Sequence, residues 1–236
     1  MAWLEANALF NPDDLHNRVI GVCSALGQHD SGSHLHRMGQ LLFTRQGCVR
    51  LTLNNGALLC LLPPTRAAWI PAGMDHRAQM KSIVDYRSVW FHPTHYPALP
   101  RHPAILNVGP LLRELLERIA ASPWESDWRT GTGWHLAALC EAEMCSAAQE
   151  PMMLALPQDK RLAPLADDAL PPMLQQLAAR CGASEKTISR IFRRDTGMTY
   201  QQWRQQWRLM KAVELLATGE RITATAQTLD FASDSA

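Results

Sequence analysis

The sequence predicts an α+β protein in which a small β-barrel is followed by helices. Short apolar runs separated by turn residues fill the first hundred positions, whereas the later part shows the three- and four-residue apolar spacing of helices. Hydrophobic residues make up 47% of the chain and charged residues 19%, which is typical of a protein that buries a core. At 236 residues the chain is long enough for two modest domains.

The β-structure is expected in four short apolar runs: Gln40 to Thr44, Val49 to Leu53, Leu58 to Leu62 and Ser88 to His92. The Asn55-Gly56 pair predicts a tight hairpin turn, because both residues tolerate positive φ. Many short strands with turn signals at this spacing are typical of a sandwich or a barrel. We therefore expect a β-barrel over residues 1–100.

Helical periodicity begins after a proline-rich crossing near residue 100. The apolar residues with helical spacing are Leu111, Leu112, Leu115, Leu116 and Ile119, and Trp134 to Gln149 is rich in helix formers. Residues 101–150 are expected to be a helical connector, which either supplies a dimer interface or covers one end of the barrel. Residues 151–165 carry prolines without an apolar period, which predicts a linker to the last domain, residues 166–236.

Composition also disfavours two classes of protein. No apolar run approaches the roughly 18 to 20 residues of a membrane-spanning helix, and the N-terminus lacks the pattern of a secretory signal. A cytoplasmic protein with no membrane partner is therefore expected. The six cysteines form no C-x-x-C pair of the kind seen in zinc and redox sites, which predicts reduced thiols.

A helix, a tight turn and a second helix are predicted from Leu174 onward. Gly182 lies where a left-handed turn residue is needed, and Ser184 is a natural N-cap for the second helix. This order is typical of a helix-turn-helix. From Leu174 to Arg221 the chain carries nine basic and four acidic residues, although the net charge of the whole chain is only +1.

The second helix of this motif has two different faces. Its apolar side chains, Ile188, Ile191 and Phe192, share one face, and basic and hydroxyl side chains lie away from it. Such a helix suits the major groove of double-stranded DNA. Base-edge contacts are assigned to Lys186, Ser189 and Arg190. Phosphate contacts are assigned to Ser184, Thr187, Arg193 and Arg194. The alternative is that these residues form an ordinary solvated helix surface.

The C-terminal segment resembles the DNA-binding domain of the AraC (arabinose regulator) family over about sixty residues. The matching residues are Leu177, Ala178, Gly182, Ser184, Ile188, Arg190, Phe192, Gly197, Trp203, Arg208, Leu209, Ala212, Leu215, Leu216, Gly219, Ile222, Ala226, Phe231 and Ser233. The resemblance implies a sequence-specific transcription regulator, not an enzyme, with two helix-turn-helix units joined by a long helix.

That joining helix is expected over Tyr200 to Thr218, with Trp203, Trp207, Met210 and Leu216 as its buried stripe. The two tryptophans are expected in the core and not as a stacking platform for bases. The resemblance places a second recognition helix from Ser233, yet the sequence reaches only Ala236, so this second unit is expected to be incomplete, as a fragment or as a shortened product. Asp230 stands where the family has glycine, and Asp tolerates the left-handed conformation.

Histidines form the other notable pattern. His34 and His36 are two apart, so in a strand both face the same side, and a strand folded back can bring His76 beside them. Three imidazoles and one oxygen suit a divalent transition metal. The pattern resembles the paired motifs of the cupin barrel, in which glutamate is the usual fourth ligand. Here Gln40 takes that place, which removes a charge and weakens the site.

The same resemblance is shared by sensor domains of AraC-type regulators, so the four residues could instead hydrogen-bond a small organic effector or simply pack. Trp69, Met74, Tyr86 and Trp90 are candidates for lining an effector pocket. Two alternatives to an effector-controlled regulator stay open at this point. One is a metal-dependent cupin enzyme, such as a dioxygenase or isomerase. The other is a truncated family member that does not bind DNA and acts by homodimerisation through Leu111 to Ile119.

Overall fold

A computed structural model describes residues 4–5, 10–166 and 170–231. Its strands are β1 (Val19–Leu26), β2 (His29–Asp30), β3 (Gly39–Gln46), β4 (Val49–Leu53), β5 (Leu58–Leu62), β6 (Arg66–Ile70), β7 (His76–Met80), β8 (Val84–Phe91), β9 (Ala104–Asn107), β10 (Gln149–Glu150) and β11 (Met153–Ala155). Its α-helices are α1 (Pro110–Ala120), α2 (Gly131–Ser146), α3 (Leu174–Arg180), α4 (Glu185–Thr196), α5 (Tyr200–Ala217) and α6 (Ile222–Thr228). The predicted α+β class is confirmed.

The chain forms two compact units. Unit 1 comprises residues 1–51 and 62–151, and unit 2 comprises residues 52–61 and 152–236. The segment expected to be a linker contains β11 and a 3-10 helix, Lys160–Ala166. None of the helices in the described ranges combines the length and the hydropathy needed to cross a bilayer.

Unit 1 is built on a six-stranded antiparallel sheet in the order β1-β8-β3-β6-β9-β10. Strand β8 begins four residues before the predicted start, because it pairs along its length with both β1 and β3. Strands β2, β7 and β4 lie side by side in a second sheet. The predicted N-terminal strands are therefore confirmed as strands. Their lengths are set by pairing with neighbouring strands.

Helix α1 packs against the six-stranded sheet. Leu112, Leu115, Leu116 and Ile119 are at most 5% exposed and belong to one core cluster with the strands, whereas Leu111 is 48% exposed. The apolar stripe of α1 therefore covers the sheet, which is the covering role and not the dimer interface of the two roles predicted for this region. Those four side chains are unavailable to a partner, so a dimer interface made of the whole stripe from Leu111 to Ile119 is wrong.

Close packing between β1 and α1 depends on Gly21. A Cβ atom at this position would lie 2.1 Å from the carbonyl oxygen of Ile119, and a backbone atom cannot give way as a flexible side chain can. We expect Gly21→Ala to lower the free energy of unfolding by about 1 to 3 kcal/mol through overpacking. Urea denaturation measures this loss. Gly27→Ala is the matched control, since a Cβ there meets nothing within 4 Å; equal midpoints for the two variants would contradict the close approach.

Unit 2 contains the tip of the β4–β5 hairpin, where β5 pairs with β11. Asn54, Asn55 and Gly56 all have positive φ, and the amide of Ala57 donates to the carbonyl of Asn54. The predicted hairpin turn at Asn55-Gly56 is therefore confirmed.

The long helix α5 confirms the expected joining helix, which ends one residue earlier than predicted. Trp203 and Trp207 are buried, as expected, and so is Met210. The prediction for Leu216 is wrong, since this side chain is 44% exposed. It lies thirteen residues after Trp203, which at 3.6 residues per turn places it roughly 220° around the helix, away from the buried stripe.

Helix α6 ends in the turn that the sequence singled out. Asp230 adopts φ 58°, the left-handed conformation expected of it. The Arg208 guanidinium holds this turn by two hydrogen bonds: Nε donates to the carbonyl of Leu229 at 2.7 Å, and Nη2 donates to the carbonyl of Asp230. The same guanidinium lies 4.1 Å from the Phe231 ring centre. The second recognition helix expected from Ser233 falls outside the described residues.

Candidate DNA-binding surface and histidine cavity

Helix α4 is fixed at both ends by the residues that the sequence singled out. The Ser184 side chain accepts from the amide of Thr187 at 3.2 Å, which caps the N-terminus, and Gly197 ends the helix with φ 72°. Gly182, with φ 59°, makes the turn between α3 and α4. Because Ile188 and Phe192 are fully buried, the rotation of the helix about its axis is fixed.

The opposite face of α4 is exposed and positively charged. We call Lys186, Arg190, Arg193 and Arg194 the cationic face; all four are exposed. Thr187 and Ser189 lie beside it and are half-buried, and Ser184 is exposed at the helix start. Among the described residues, neither Lys186 nor Arg190 makes a side-chain hydrogen bond or ion pair. The structure therefore brings all seven predicted DNA-contact residues onto one surface.

Arg194 differs from the rest of the cationic face because it has an acidic partner. Its Nε donates to Oδ1 of Asp195 at 2.5 Å and its Nη2 to Oδ2 at 3.2 Å. This hydrogen bonding lowers the pKa of Asp195, so the carboxylate stays ionised. Arg194 remains 68% exposed, so the Asp195 carboxylate orients the guanidinium without burying it.

Two of the three candidate histidines meet across a bridge between chain segments. His34 and His76 exchange backbone hydrogen bonds of 3.0 and 2.8 Å, and their ring centres lie 4.3 Å apart. His36, two residues along, brings its ring centre to 4.9 Å from that of His76. We call His34, His36 and His76 the histidine cluster. One potential ligand atom from each of them lies within 4.8 Å of the corresponding atoms of the other two.

The ring nitrogens of the cluster are arranged in the same way in all three residues. Each Nδ1 faces a backbone carbonyl: Gly32 for His34 (3.1 Å), Met38 for His36 (2.6 Å) and Met74 for His76 (2.9 Å). This pattern assigns the proton to Nδ1 and leaves Nε2 as the unprotonated ring nitrogen, as in metal-binding histidines. Burial lowers the pKa of His36, and lowers that of His76 to about 4, so both rings are neutral near pH 7.

Gln40 lies beside the cluster with its oxygen toward it. Its Oε1 is 3.0 Å from Nε2 of His36, and its Nε2 donates to Ser88 at 2.7 Å and to Tyr86 at 3.0 Å. When Nδ1 of His36 carries the proton, its Nε2 and the Oε1 of Gln40 are both acceptors, and they face each other. A cation bound between them removes this repulsion. A 180° rotation of the amide relieves it too, because the amide nitrogen then donates to His36. The buried Nε2 of His76 has no hydrogen-bond partner among the residues that the structure describes.

These observations fit a divalent transition metal, which takes imidazole nitrogen and amide oxygen ligands. Ligands about 2.1 Å from one ion are roughly 3 to 4 Å apart, so the rings need only small rotations to share one. One contact competes with this role: the Trp90 indole donates to Nε2 of His36 at 3.1 Å.

The cluster opens into a cavity of about 580 Å³ in unit 1. Tyr86 and Trp90 line this cavity, as the sequence suggested for an effector pocket, whereas Trp69 and Met74 do not. Trp69 belongs to the core, since it is 3% exposed and its indole donates to the carbonyl of Pro100 at 2.8 Å. The rest of the wall mixes apolar residues, such as Val22 and Met80, with polar ones that include the acidic Glu5 and Asp30.

Comparison with known proteins agrees with the helix-turn-helix. Residues 177–236 match the sequence profile of a family described as a helix-turn-helix domain. Across nearly the whole chain, the sequence is 27% identical to the HTH-type transcriptional regulator NimR of Escherichia coli (strain K12), over 96% of this chain and 84% of that protein. The matched profile covers the helix-turn-helix, and the similarity to a transcription regulator extends along most of the chain.

Solved structures resemble this chain only weakly. Fatty-acid-bound ToxT of Vibrio cholerae strain SCE256 covers 92% of this chain and 87% of its own, with 10% identity and a TM-score of 0.34. An RmlC-like cupin of Shewanella frigidimarina covers 32% of this chain and 67% of its own, with 16% identity and a TM-score of 0.30.

Sequence reasoning missed several residues at both sites of the regulator. Ser88, which holds Gln40, and Phe10, which lines the cavity, carry no sequence signal for these positions. Asp159 and Arg161, which lie beside the cationic face, were assigned to a linker. Their Asp-x-Arg spacing is a local turn signal, but it does not say which helix the turn packs against.

Proposed function

We propose that this protein is an AraC-family transcription regulator that binds its DNA target by placing α4 in the major groove. One observation carries the proposal: the cationic face of α4 is exposed, whereas the apolar face of the same helix is buried in the core of unit 2. Arg190 is at the centre of that face, and its guanidinium suits the paired acceptors of guanine. Lys186 and Ser189, one turn before and one residue before it, reach neighbouring base edges.

The remaining residues of the surface are proposed to bind phosphates. Ser184 and Thr187 lie at the N-terminus of α4, where backbone amides and the helix dipole favour an anion. Arg193 and Arg194 lie in its last turns, and the carboxylate of Asp195 holds Arg194 in one orientation. Such contacts position the helix and carry no sequence information.

The test compares Arg190→Ala with Arg194→Ala on duplexes from the region upstream of the protein's own gene. Fluorescence anisotropy should show that Arg190→Ala loses about 1 to 3 kcal/mol of binding free energy and relaxes the preference at one base position. Arg194→Ala should weaken binding to every sequence by a similar factor and lower the salt dependence. If both variants weaken all sequences alike, Arg190 has no base-reading role.

We also propose that the histidine cavity of unit 1 holds the small effector that controls DNA binding. An effector can do so only if it binds one arrangement of the protein more tightly than another. The cluster and Gln40 offer neutral acceptors and one amide, and the apolar part of the wall suits a partly hydrophobic molecule. His34, His36, His76 and Gln40 would hold a divalent metal if one is bound; such an ion would supply an electrophilic centre for an anionic or nitrogenous group of the effector.

The same proposal covers catalysis, cellular location and self-association. The chain is proposed to lack enzymatic activity, and to act in the cytoplasm, where its DNA target is. For a homodimer, Trp134 and Leu139 on α2 and Leu111 on α1 offer exposed apolar surface, since each is 44% exposed or more.

A further inference from the structure

We propose that Arg161, which precedes the helix-turn-helix, is an additional DNA phosphate contact, held in place by Asp159. This inference rests on the proposed function of α4. It adds to the DNA-binding surface a residue that lies outside the helix-turn-helix and outside the matched residues 177–236.

The segment that carries Arg161 is attached to α4 by specific contacts. The backbone amide of Gln158 donates to Oδ2 of Asp195, at the C-terminal end of α4, at 3.0 Å. Leu162, next to Arg161, is 1% exposed, and Leu165 is 8% exposed. The hydrogen bond to Asp195 and the two buried leucines hold this stretch in place within unit 2.

The local geometry of Arg161 leaves part of its guanidinium free. Its Nε and Nη2 donate to the two carboxylate oxygens of Asp159 at 2.9 and 2.8 Å, and its backbone amide donates to the same carboxylate at 3.1 Å. The outer donors, on Nη1 and on the second hydrogen of Nη2, are not used in this pair. The side chain is 48% exposed, so an anion can reach these donors.

The charge around Arg161 favours an anion. An open notch of about 790 Å³ is lined by Arg161 and the four members of the cationic face, and among the described residues that line it Asp159 is the only acidic one. The major groove is about 12 Å wide, so a helix inserted in it has a phosphate backbone along each side. A guanidinium beside that helix is suited to bind such a phosphate with two hydrogen bonds.

The chain contains a matched control for this residue. Asp127 and Arg129 in unit 1 form the same Asp-x-Arg arrangement, in which Oδ1 of Asp127 accepts from the backbone amide of Arg129 at 2.9 Å and from its Nε at 3.0 Å. Arg129 is 70% exposed. Its replacement removes the same charge and a similar pair, bound through Oδ1 alone, in a different unit of the protein.

The experiment measures DNA affinity of the full chain, at several salt concentrations, for Arg161→Gln, Arg129→Gln and Arg190→Ala. The probes are a fluorescein-labelled duplex from the region upstream of the gene and a shuffled duplex of the same composition. Losing one phosphate contact lowers the slope of log affinity against log salt by about 0.9, so Arg161→Gln should bind both duplexes about five- to tenfold more weakly near 0.1 M salt. Arg129→Gln should match the unaltered protein.

The outcomes separate this inference from the proposed function. If Arg161→Gln binds as Arg129→Gln does while Arg190→Ala is impaired, the inference is overturned and the function of α4 stands. If Arg190→Ala is also unimpaired, the proposed function itself fails.

Asp159→Asn gives an independent readout of the same geometry. The backbone amide and Nε of Arg161 both donate to Oδ1 of Asp159, and the asparagine oxygen can accept both, so Arg161 stays in place. The substitution removes only the Nη2 contact and the negative charge near the phosphate. We therefore expect tighter binding to both duplexes and unchanged thermal unfolding, whereas weaker or unchanged binding would overturn the placement of a phosphate beside this pair.

Discussion

Replacing Trp203 by alanine is expected to lower the free energy of unfolding of unit 2 by about 3 to 5 kcal/mol, because it removes a large side chain from a closed core. Trp203 has no exposed surface. Its ring centre lies 5.4 Å from that of Trp207 and 5.2 Å from that of Phe192. Since Phe192 anchors α4 from behind, loss of Trp203 should also abolish DNA binding.

Urea denaturation followed by circular dichroism at 222 nm measures this loss, since unit 2 is largely helical. Trp134→Ala is the matched control, because it deletes the same side chain at a position that is 48% exposed. Equal unfolding midpoints for the two variants would contradict the assignment of Trp203 to the core. Trp203→Phe should cost less, about 1 to 3 kcal/mol, since it leaves the carbonyl of Ala155 without the indole donor 2.7 Å away.

The second large effect is expected at the histidine cluster. The unaltered protein should bind about one equivalent of Co²⁺ or Zn²⁺, and the double variant His34→Ala, His76→Ala should bind none, because it removes two of three imidazole ligands. Isothermal titration and the visible absorption of bound Co²⁺ measure the difference. The control is His102→Ala, His135→Ala, which removes two exposed histidines outside the cluster.

Equal metal uptake by both double variants would reject the metal site and leave the cluster as a hydrogen-bonding wall for an organic effector. Gln40→Glu separates these two roles further. A carboxylate next to the Nε2 atoms should tighten metal binding, since it adds a charge to the ligand set. In the absence of metal, the same substitution should destabilise unit 1, because Gln40 is 3% exposed and its replacement buries a charge.

Much of the DNA-binding surface was predictable because its determinants are local. The N-cap of Ser184, the turn at Gly182 and the spacing of Ile188 and Phe192 all act within one or two helical turns, so they can be read along the chain. The error at Leu216 also has a local cause, since helical periodicity itself places that residue opposite Trp203. The second recognition helix stays a prediction.

The histidine cluster was predictable in membership but not in chemistry. Strand alternation and the resemblance to a cupin motif together suggested that His76 meets His34 and His36. The proton positions depend on carbonyls at Gly32, Met38 and Met74, whose orientation follows from the folded loops and not from residue type. The indole of Trp90, which donates to Nε2 of His36, is 54 positions away in the sequence. No sequence pattern predicts which residues of two such distant segments face each other.

The sequence alone determined that α4 has an apolar and a cationic side, because a period of 3.6 residues is a property of neighbouring positions. Only the tertiary structure decided that the stripe of α1 covers a sheet and that Arg161 lies beside the cationic face. The physical reason is that such contacts join surfaces far apart in the chain, and their pairing is selected by the packing of whole elements and not by the residues next to them.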